Sequence, residues 1–424
     1  MERFFLRSVK VRKLHALFLL CLFFLLCLFL PRPTLAQLKV GQYEDEAPLR
    51  TWNSFGVRTA SSLGMGETLF ASGSDCSVAL SNPALLVYLP SATLTFNAAI
   101  NTASFFKYSI VNTGVLTSEK PLFGRLYTFD FAGFSLRLGN FAFSASWGEV
   151  EKYARPKTRS EYTYQGTLRY FLELIQRGSL KNVNLSLSRR LFGIVAFGLG
   201  LNYSYGNLNK DITESWVDDN ITIFDYKSHE FNGLYVNGGV SIDLTEKFRV
   251  AAVFRTPFIK KSTSHSLLRY YSPDADTDIT IEAFSEDTFR QPLILGAGVR
   301  YAFSENLIFA SDVTFFNWSR YRVDYFEEPL QRDFKDVVKV AAGIEYWNTY
   351  RIFKQNVRAP TRIGFVFDPQ PMKEPGSSYF YLSLGTGIHW GGFFLDASSL
   401  VGKEWGSGDS LAALRLAVSL GYEH

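Results

Sequence analysis

The chain has 424 residues, of which 47% are hydrophobic, 16% aromatic and only 20% charged, with a formal net charge of +4. Intrinsic disorder, which needs low hydrophobicity and high net charge, is excluded. A helical membrane protein is excluded too, because runs of about 18 apolar residues do not occur beyond the N-terminus.

The first element, 1–36, reads as a secretory signal peptide. Arg3, Arg7, Lys10, Arg12 and Lys13 precede an apolar stretch over 16–30, followed by Pro31, Pro33 and a small-residue end at Ala36. That order matches a charged region, a hydrophobic region and a cleavage site. This leader holds six of the 44 basic and one of the 40 acidic residues, which leaves 38 against 39 in the mature chain. The basic excess therefore belongs to the leader, and nothing remains to argue for a nucleic-acid partner. Of three cysteines only Cys76 survives cleavage, so an exported chain must be stable without an internal disulfide.

Residues 37–90 come next and show no period-2 alternation. They contain Gly64-Met65-Gly66-Glu67-Thr68, then Asp75, then Asn82-Pro83-Ala84-Leu85. Pro83 fixes its own φ and biases Asn82 toward extended geometry. Asn82 can brace this segment through both the donor and the acceptor of its amide.

From residue 91 onward the dominant signal is alternation. In 194–206, Val195, Phe197, Leu199, Leu201, Tyr203 and Tyr205 fall on one face, and Ala196, Gly198, Gly200, Asn202 and Ser204 on the other. Successive strand residues point to opposite faces. One face is large and apolar. The other carries small and polar residues with isolated charges: Arg249, Arg255, Arg300, Asp312, Lys339, Glu345, Arg362 and Arg415. Such a pair of faces fits lipid outside and a wet lumen inside, and in a bilayer only a closed barrel satisfies strand backbones. Tyr203, Phe303, Trp318, Tyr346, Trp390 and Tyr422 suit aromatic girdles. Fourteen such segments are countable, the third at 140–153.

The predicted fold is an all-β transmembrane antiparallel barrel over 91–424, with a hatch over 37–90 filling a hole too wide for side chains alone. Short connections alternate with long ones at 102–122, 154–179, 207–229 and 258–288. This asymmetry places the short turns and both termini in the periplasm of a Gram-negative-type cell. The connection at 348–359 is longer than its class predicts.

Inside the long connection 154–179, Leu168, Phe171, Leu172 and Ile175 recur at i, i+3, i+4 and i+7. This spacing predicts an amphipathic helix. Its apolar stripe either packs on the barrel rim or faces Phe258, Leu267 and Leu268 to form a greasy groove suited to an acyl chain.

Enzymatic chemistry finds no support. Gly408-Asp409-Ser410-Leu411 matches an esterase nucleophile motif, but only fourteen residues follow Ser410, too few for the acid and histidine of a triad. His229, His265, His389 and His424 lack metal-ligand spacing, so no metal or cofactor is expected.

The Gly64-Met65-Gly66, Asp75 and Asn82-Pro83-Ala84 constellation resembles the N-terminal hatch of the FadL/TodX family of outer-membrane transporters. Asp312 followed by Asn317-Trp318, then Gly343-Ile344-Glu345 and Arg362-Ile363-Gly364, resembles that family's ninth to eleventh strands. The resemblance implies passive uptake of long-chain fatty acids or hydrocarbons. It also implies a lateral exit beside the third strand, where Gly148 is a candidate kink. Expected partners are outer-membrane lipid, the hydrophobic ligand and, during biogenesis, the barrel-assembly machinery. The rival expectation is a non-transporting barrel that docks secreted proteins at the cell surface.

Overall fold

Strands whose faces differ this sharply can bury both only between lipid and a filled interior, and the chain does so. The computed structural model describes residues 55–105, 114–117, 122–325, 328–330, 334–352, 355–373, 376–406 and 412–424. The expected leader, residues 37–54 of the expected hatch, and Ser410 lie outside the described residues.

Twenty strands are described. They are β1 (Ala92–Phe105), β2 (Gly114–Thr117), β3 (Leu122–Leu138), β4 (Phe141–Lys152), β5 (Arg155–Tyr164), β6 (Thr167–Leu191) and β7 (Val195–Trp216). There follow β8 (Thr222–Asp243), β9 (Phe248–Arg255), β10 (Phe258–Ser272), β11 (Thr277–Gln291), β12 (Ile294–Ser304) and β13 (Leu307–Phe316). The remainder are β14 (Arg322–Tyr325), β15 (Glu328–Leu330), β16 (Val337–Ile352), β17 (Gln355–Pro369), β18 (Ser378–Trp390), β19 (Phe393–Trp405) and β20 (Ala412–Glu423). They build fourteen antiparallel staves, because β4 continues into β5, β9 into β10, β11 into β12 and β13 into β14, while the short β2 and β15 are side pieces paired with β5 and β14. Pro257 and Pro292 sit at two of these breaks, where a residue without N–H interrupts a ladder. Pairing of β1 with β20, from Thr93↔Glu423 to Ala103↔Ala413, closes the barrel.

The alternation falls as the sequence predicts. On β7 the odd residues Leu199, Leu201 and Tyr203 are exposed, whereas Ala196, Asn202 and Ser204 are buried. On β20, Val418 and Leu420 face out, while Arg415, Ala417 and Ser419 are buried. Asp312, Lys339 and Arg362 are likewise buried on the inner face. One girdle assignment fails: Trp318 is buried in an interior aromatic cluster with Phe316, Tyr321 and Phe334.

Three expectations about connections are corrected. The segments 154–179, 207–229 and 258–288 are not loops but prolongations of β5 to β8, β10 and β11. The exception at 348–359 disappears, since β16 and β17 stay paired down to Ile352↔Gln355. The helix expected around Leu168–Ile175 does not form; these residues belong to the 25-residue strand β6. Its Tyr, Thr, Phe and Ile content favours a strand, and ladders to β5 and β7 supply the backbone partners.

Candidate functional site

The N-terminal segment is the first component of the site. From Phe55 to Leu89 its residues are almost all buried, and its polar groups find partners on the wall. Helix α1 (Ala60–Gly64) lies against β17 to β20, and the 3-10 turn Pro83–Tyr88 against β6, β7 and β8. A backbone this irregular can sit inside a barrel only where each orphan group is satisfied. The Ala60 N–H donates to Ser419 Oγ at 2.8 Å and Asn97 Oδ1 at 3.1 Å. The N–H groups of Leu69 and Phe70 both donate to Asp312 Oδ2, at 2.6 and 2.9 Å. Asn237 Nδ2 donates to the Ala79 carbonyl at 3.0 Å. It belongs to a buried amide ladder in which Asn182 and Asn184 donate to Asn202 Oδ1, and Asn202 donates to Asn237.

The motif residues occupy the joints of this segment. Gly66 has φ +67° and lies so close to the wall that a Cβ there would stand 2.5 Å from the Ala342 carbonyl oxygen. The wall answers with glycine, since a Cβ on Gly364 would stand 2.0 Å from the Gly66 nitrogen and one on Gly343 2.2 Å from the Met65 oxygen. Gly64 similarly abuts Gly385. Asp75 caps the next 3-10 turn, accepting from the Ser77 N–H, and also from Thr59 and Ser61 hydroxyls at 2.6 and 2.8 Å. Asn82 braces as its chemistry suggests: Nδ2 donates to the Phe70 carbonyl and to Ser241 Oγ of β8, while Oδ1 accepts from the Ala84 N–H. Pro83 and Ala84 press on Gly198, where a Cβ would stand 2.2 Å from the Ala84 nitrogen.

Glu67 makes a buried ion pair with Lys339 at 2.7 Å, and Lys339 reaches Asp368 at 3.4 Å. Burial alone would raise the Glu67 carboxyl, but Lys339 and Arg58 outweigh it and hold the group below the usual carboxylate range. The Cys76 thiol is pushed up to about 12 by burial, so it is a packed small residue rather than a nucleophile.

The second component is a seam in the wall. The β3–β4 ladder runs from Leu138↔Phe141 to Phe131↔Gly148 and stops there. Beyond it, side chains alone bridge the described residues of the two strands. Thr128 Oγ1 donates to Glu149 Oε1 at 2.8 Å and Lys152 Nζ donates to the Tyr127 carbonyl at 3.2 Å, while within β4 Lys152 also pairs with Glu149. Gly148 is not itself a bend, because β4 stays in register with β6 through Gly148↔Asn182 and shifts only between Glu149 and Glu151. Gly148 marks instead a place where the N-terminal segment packs against β4, since a Cβ would meet Val57 and Leu80 at 2.8 and 2.9 Å. Tyr127 and Phe129 are exposed on the outside of the seam, with Phe129 stacked on Trp147.

The third component is a one-sided rim. β6, β7 and β8 have 25, 22 and 22 residues, against 13 each in β18 and β19. At about 3.4 Å per residue the tall side outreaches the short side by roughly 30 Å along the strand. Its inner face carries rows set by register that are apolar but for one carboxylate each, Asp225 and Glu214. Leu174 opposes Ile212, Ile212 opposes Asp225, Asp225 opposes Leu268, and Leu268 opposes Ile281. One step higher the row is Leu172, Glu214, Ile223, Tyr270 and Ile279. Beneath the rim Lys260 is buried, its Nζ 3.0 Å from the Tyr153 hydroxyl and 4.2 Å from the Phe231 ring centre.

The expected groove residues divide between faces. Leu172 and Leu268 lie on the inner face, and Phe258 stacks on Tyr235 at its base. Phe171, Ile175 and Leu267 alternate onto the outer face, where Arg159 covers the Phe171 ring at 4.3 Å. Leu168 precedes a register shift opposite Tyr162 and Thr163. β6 and β10 are separated by β7 and β8, so the two segments share one wall rather than facing each other as loops.

Known proteins were compared with the chain. The model of the family described as BamG matches residues 57–407. No curated protein matches. A Pseudomonas aeruginosa FadL homologue superposes with a TM-score of 0.62 at 12% identity, covering 87% of this chain and 99% of that one. The Pseudomonas putida toluene transporter TodX gives 0.58 at 13%, covering 87% and 98%. The Ralstonia pickettii toluene transporter TbuX gives 0.56 at 14%, covering 88% and 99%. At these identities the likeness establishes the fold, an outer-membrane barrel of FadL-like architecture.

Proposed function

The chain belongs to the BamG family, and from that premise and its FadL-like barrel we propose passive uptake of hydrophobic small molecules across the outer membrane. The observation that carries this reading is the apolar inner face of the rim, Leu172, Leu174, Ile212, Ile223, Leu268 and Ile281. It leads down to an interior that residues 55–89 occlude. With the short turns and both termini in the periplasm, the rim stands outside the cell, where an apolar face gains by covering an acyl chain or hydrocarbon. Residues 37–90 act as the hatch. The seam between β3 and β4 supports a lateral exit, because only side chains need to part there. The toluene transporters among the structural neighbours suggest aromatic hydrocarbons beside fatty acids as ligands. The family's description fits contact with the barrel-assembly machinery during biogenesis. Uptake of radiolabelled oleate and toluene by a deletion strain, with and without the restored gene, tests the reading. Restored uptake of either is expected, and equal uptake of both in the two strains would sink it.

A further inference from the structure

Strand β11 presents an unprotected edge. Its ladder to β10 runs without a shift from Phe258↔Gln291 to Ser272↔Thr277. On its other side only Thr288, Phe289 and Arg290 are paired, with β14. No described residue pairs with the second edge of 277–286. A strand edge is a row of backbone donors and acceptors, and proteins usually blunt it with proline, lysine or a bulge. None of these occurs in 277–286, whose only edge charges are the acidic Asp278, Glu282 and Glu286, which repel a second copy but not a cationic strand. The side chains invite contact as well: Ile279, Ile281 and Phe284 are 52%, 61% and 72% exposed.

Charge limits what can pair there. Residues 270–289 carry Asp274, Asp276, Asp278, Glu282, Glu286 and Asp287 and no Lys, Arg or His. Asp278, Glu282 and Glu286 share the outer face. From β10, Arg269 pairs with Asp278, His265 with Glu282, and Thr263 donates to Glu286. Ile279, Ile281 and Ala283 share the inner face. Self-pairing of two copies would set this acidic row against itself, and like charges across a ladder are destabilising.

We infer that the β11 edge over 277–286 is a β-augmentation site for an extended, basic segment of another polypeptide, alternating apolar and Lys or Arg residues. Its apolar side chains would extend the Ile279–Ile281 face and its cations the Asp278–Glu282–Glu286 face, while backbone hydrogen bonds supply the docking. The site shares Ile281 and the orientation of the rim with the uptake reading, whereas Glu282 and Glu286 on the outer face belong to it alone.

The test uses the full chain in detergent and a fluorescent decapeptide alternating Val and Lys. Two N-methylated versions block, respectively, the odd and the even amide N–H groups. Binding of the parent is expected. One N-methylated version should lose about tenfold or more while the other keeps its affinity, because a strand docks through one edge only. A Val/Glu peptide should not bind. A Glu282→Lys/Glu286→Lys variant should lose the Val/Lys peptide yet retain hydrocarbon uptake, which separates this site from the transport reading. No binding of the parent, equal binding of both N-methylated versions, or self-association of the chain through this edge would each overturn the proposal.

Discussion

Glycine against glycine is how this barrel seats its N-terminal segment, and carboxylates are how it holds the segment's free N–H groups. Asp312 takes two such groups, and Glu67 returns a charge to Lys339. The Glu67 carboxyl is held below its ordinary value of 4.5, so the sign of its pH dependence follows by linkage. A depressed carboxyl contributes stability that is fully present above its unfolded value and lost as pH falls through the folded one. Glu67→Gln should therefore lower the unfolding midpoint of the detergent-solubilised barrel at neutral pH, by about 1–3 kcal/mol as for a buried charged hydrogen bond. As pH falls below the ordinary carboxylate value the gap should narrow, and it should close once Glu67 is protonated in the folded barrel as well. A gap that does not narrow on acidification would deny Glu67 this role. The motif glycines, Asp75 and Asn82 were legible in the sequence as a spacing. Their partners Ser241 and Gly364 were not legible as contacts, since they lie more than a hundred residues away; Asp312 and Gly364 stood out as an inner charge and a strand motif without showing what they would hold.

At the scale of single elements, alternation was readable wherever one face meets lipid, as on β7 and β20. Higher on the rim both faces meet water, so hydrophobic contrast fades while the ladder continues; that is why 207–229 and 258–288 read as loops. The Leu168–Ile175 stripe misled for a related reason. A spacing of three and four fits one helical face, yet in a strand it sends Phe171 and Ile175 outward and Leu172 inward. The difference has a measurable consequence. Phe171→Asp changes an outer residue beside Arg159 and should leave hydrophobic-ligand binding unchanged. Leu268→Asp places a charge in the inner row and should weaken binding about tenfold, since each buried methylene contributes about 0.8 kcal/mol. Equal effects of the two, read by fluorescent fatty-acid titration, would remove the inner face from the account.

For the whole molecule the question is which part moves. The N-terminal segment is locked by backbone contacts at Gly64, Gly66 and Pro83 on glycines of two separate wall regions, β7 and the adjoining β16–β18. Moving it would break many buried hydrogen bonds at once, and each buried group left unpaired costs about 1–3 kcal/mol. The seam needs far less. Parting β3 from β4 beyond Gly148 gives up the Thr128–Glu149 and Lys152–Tyr127 contacts and the Phe129–Trp147 stack, and no described backbone ladder opens. Both polar contacts are hydrogen bonds to a charged group, worth about 1.5–3 kcal/mol each, two against the many that hold the N-terminal segment. On the proposed uptake route a ligand descending the inner face would therefore meet its lowest barrier sideways, into the membrane. Thr128→Cys/Glu149→Cys, bridged by a short bismaleimide, should abolish uptake while the unbridged double variant still transports. A reducible bridging reagent should then allow recovery on reduction. The matching bridge between the N-terminal segment and the wall, Ala60→Cys/Ser419→Cys at a 2.8 Å contact, should leave uptake intact. The reverse pattern, uptake surviving the seam bridge and lost on the second, would make the N-terminal segment the moving part.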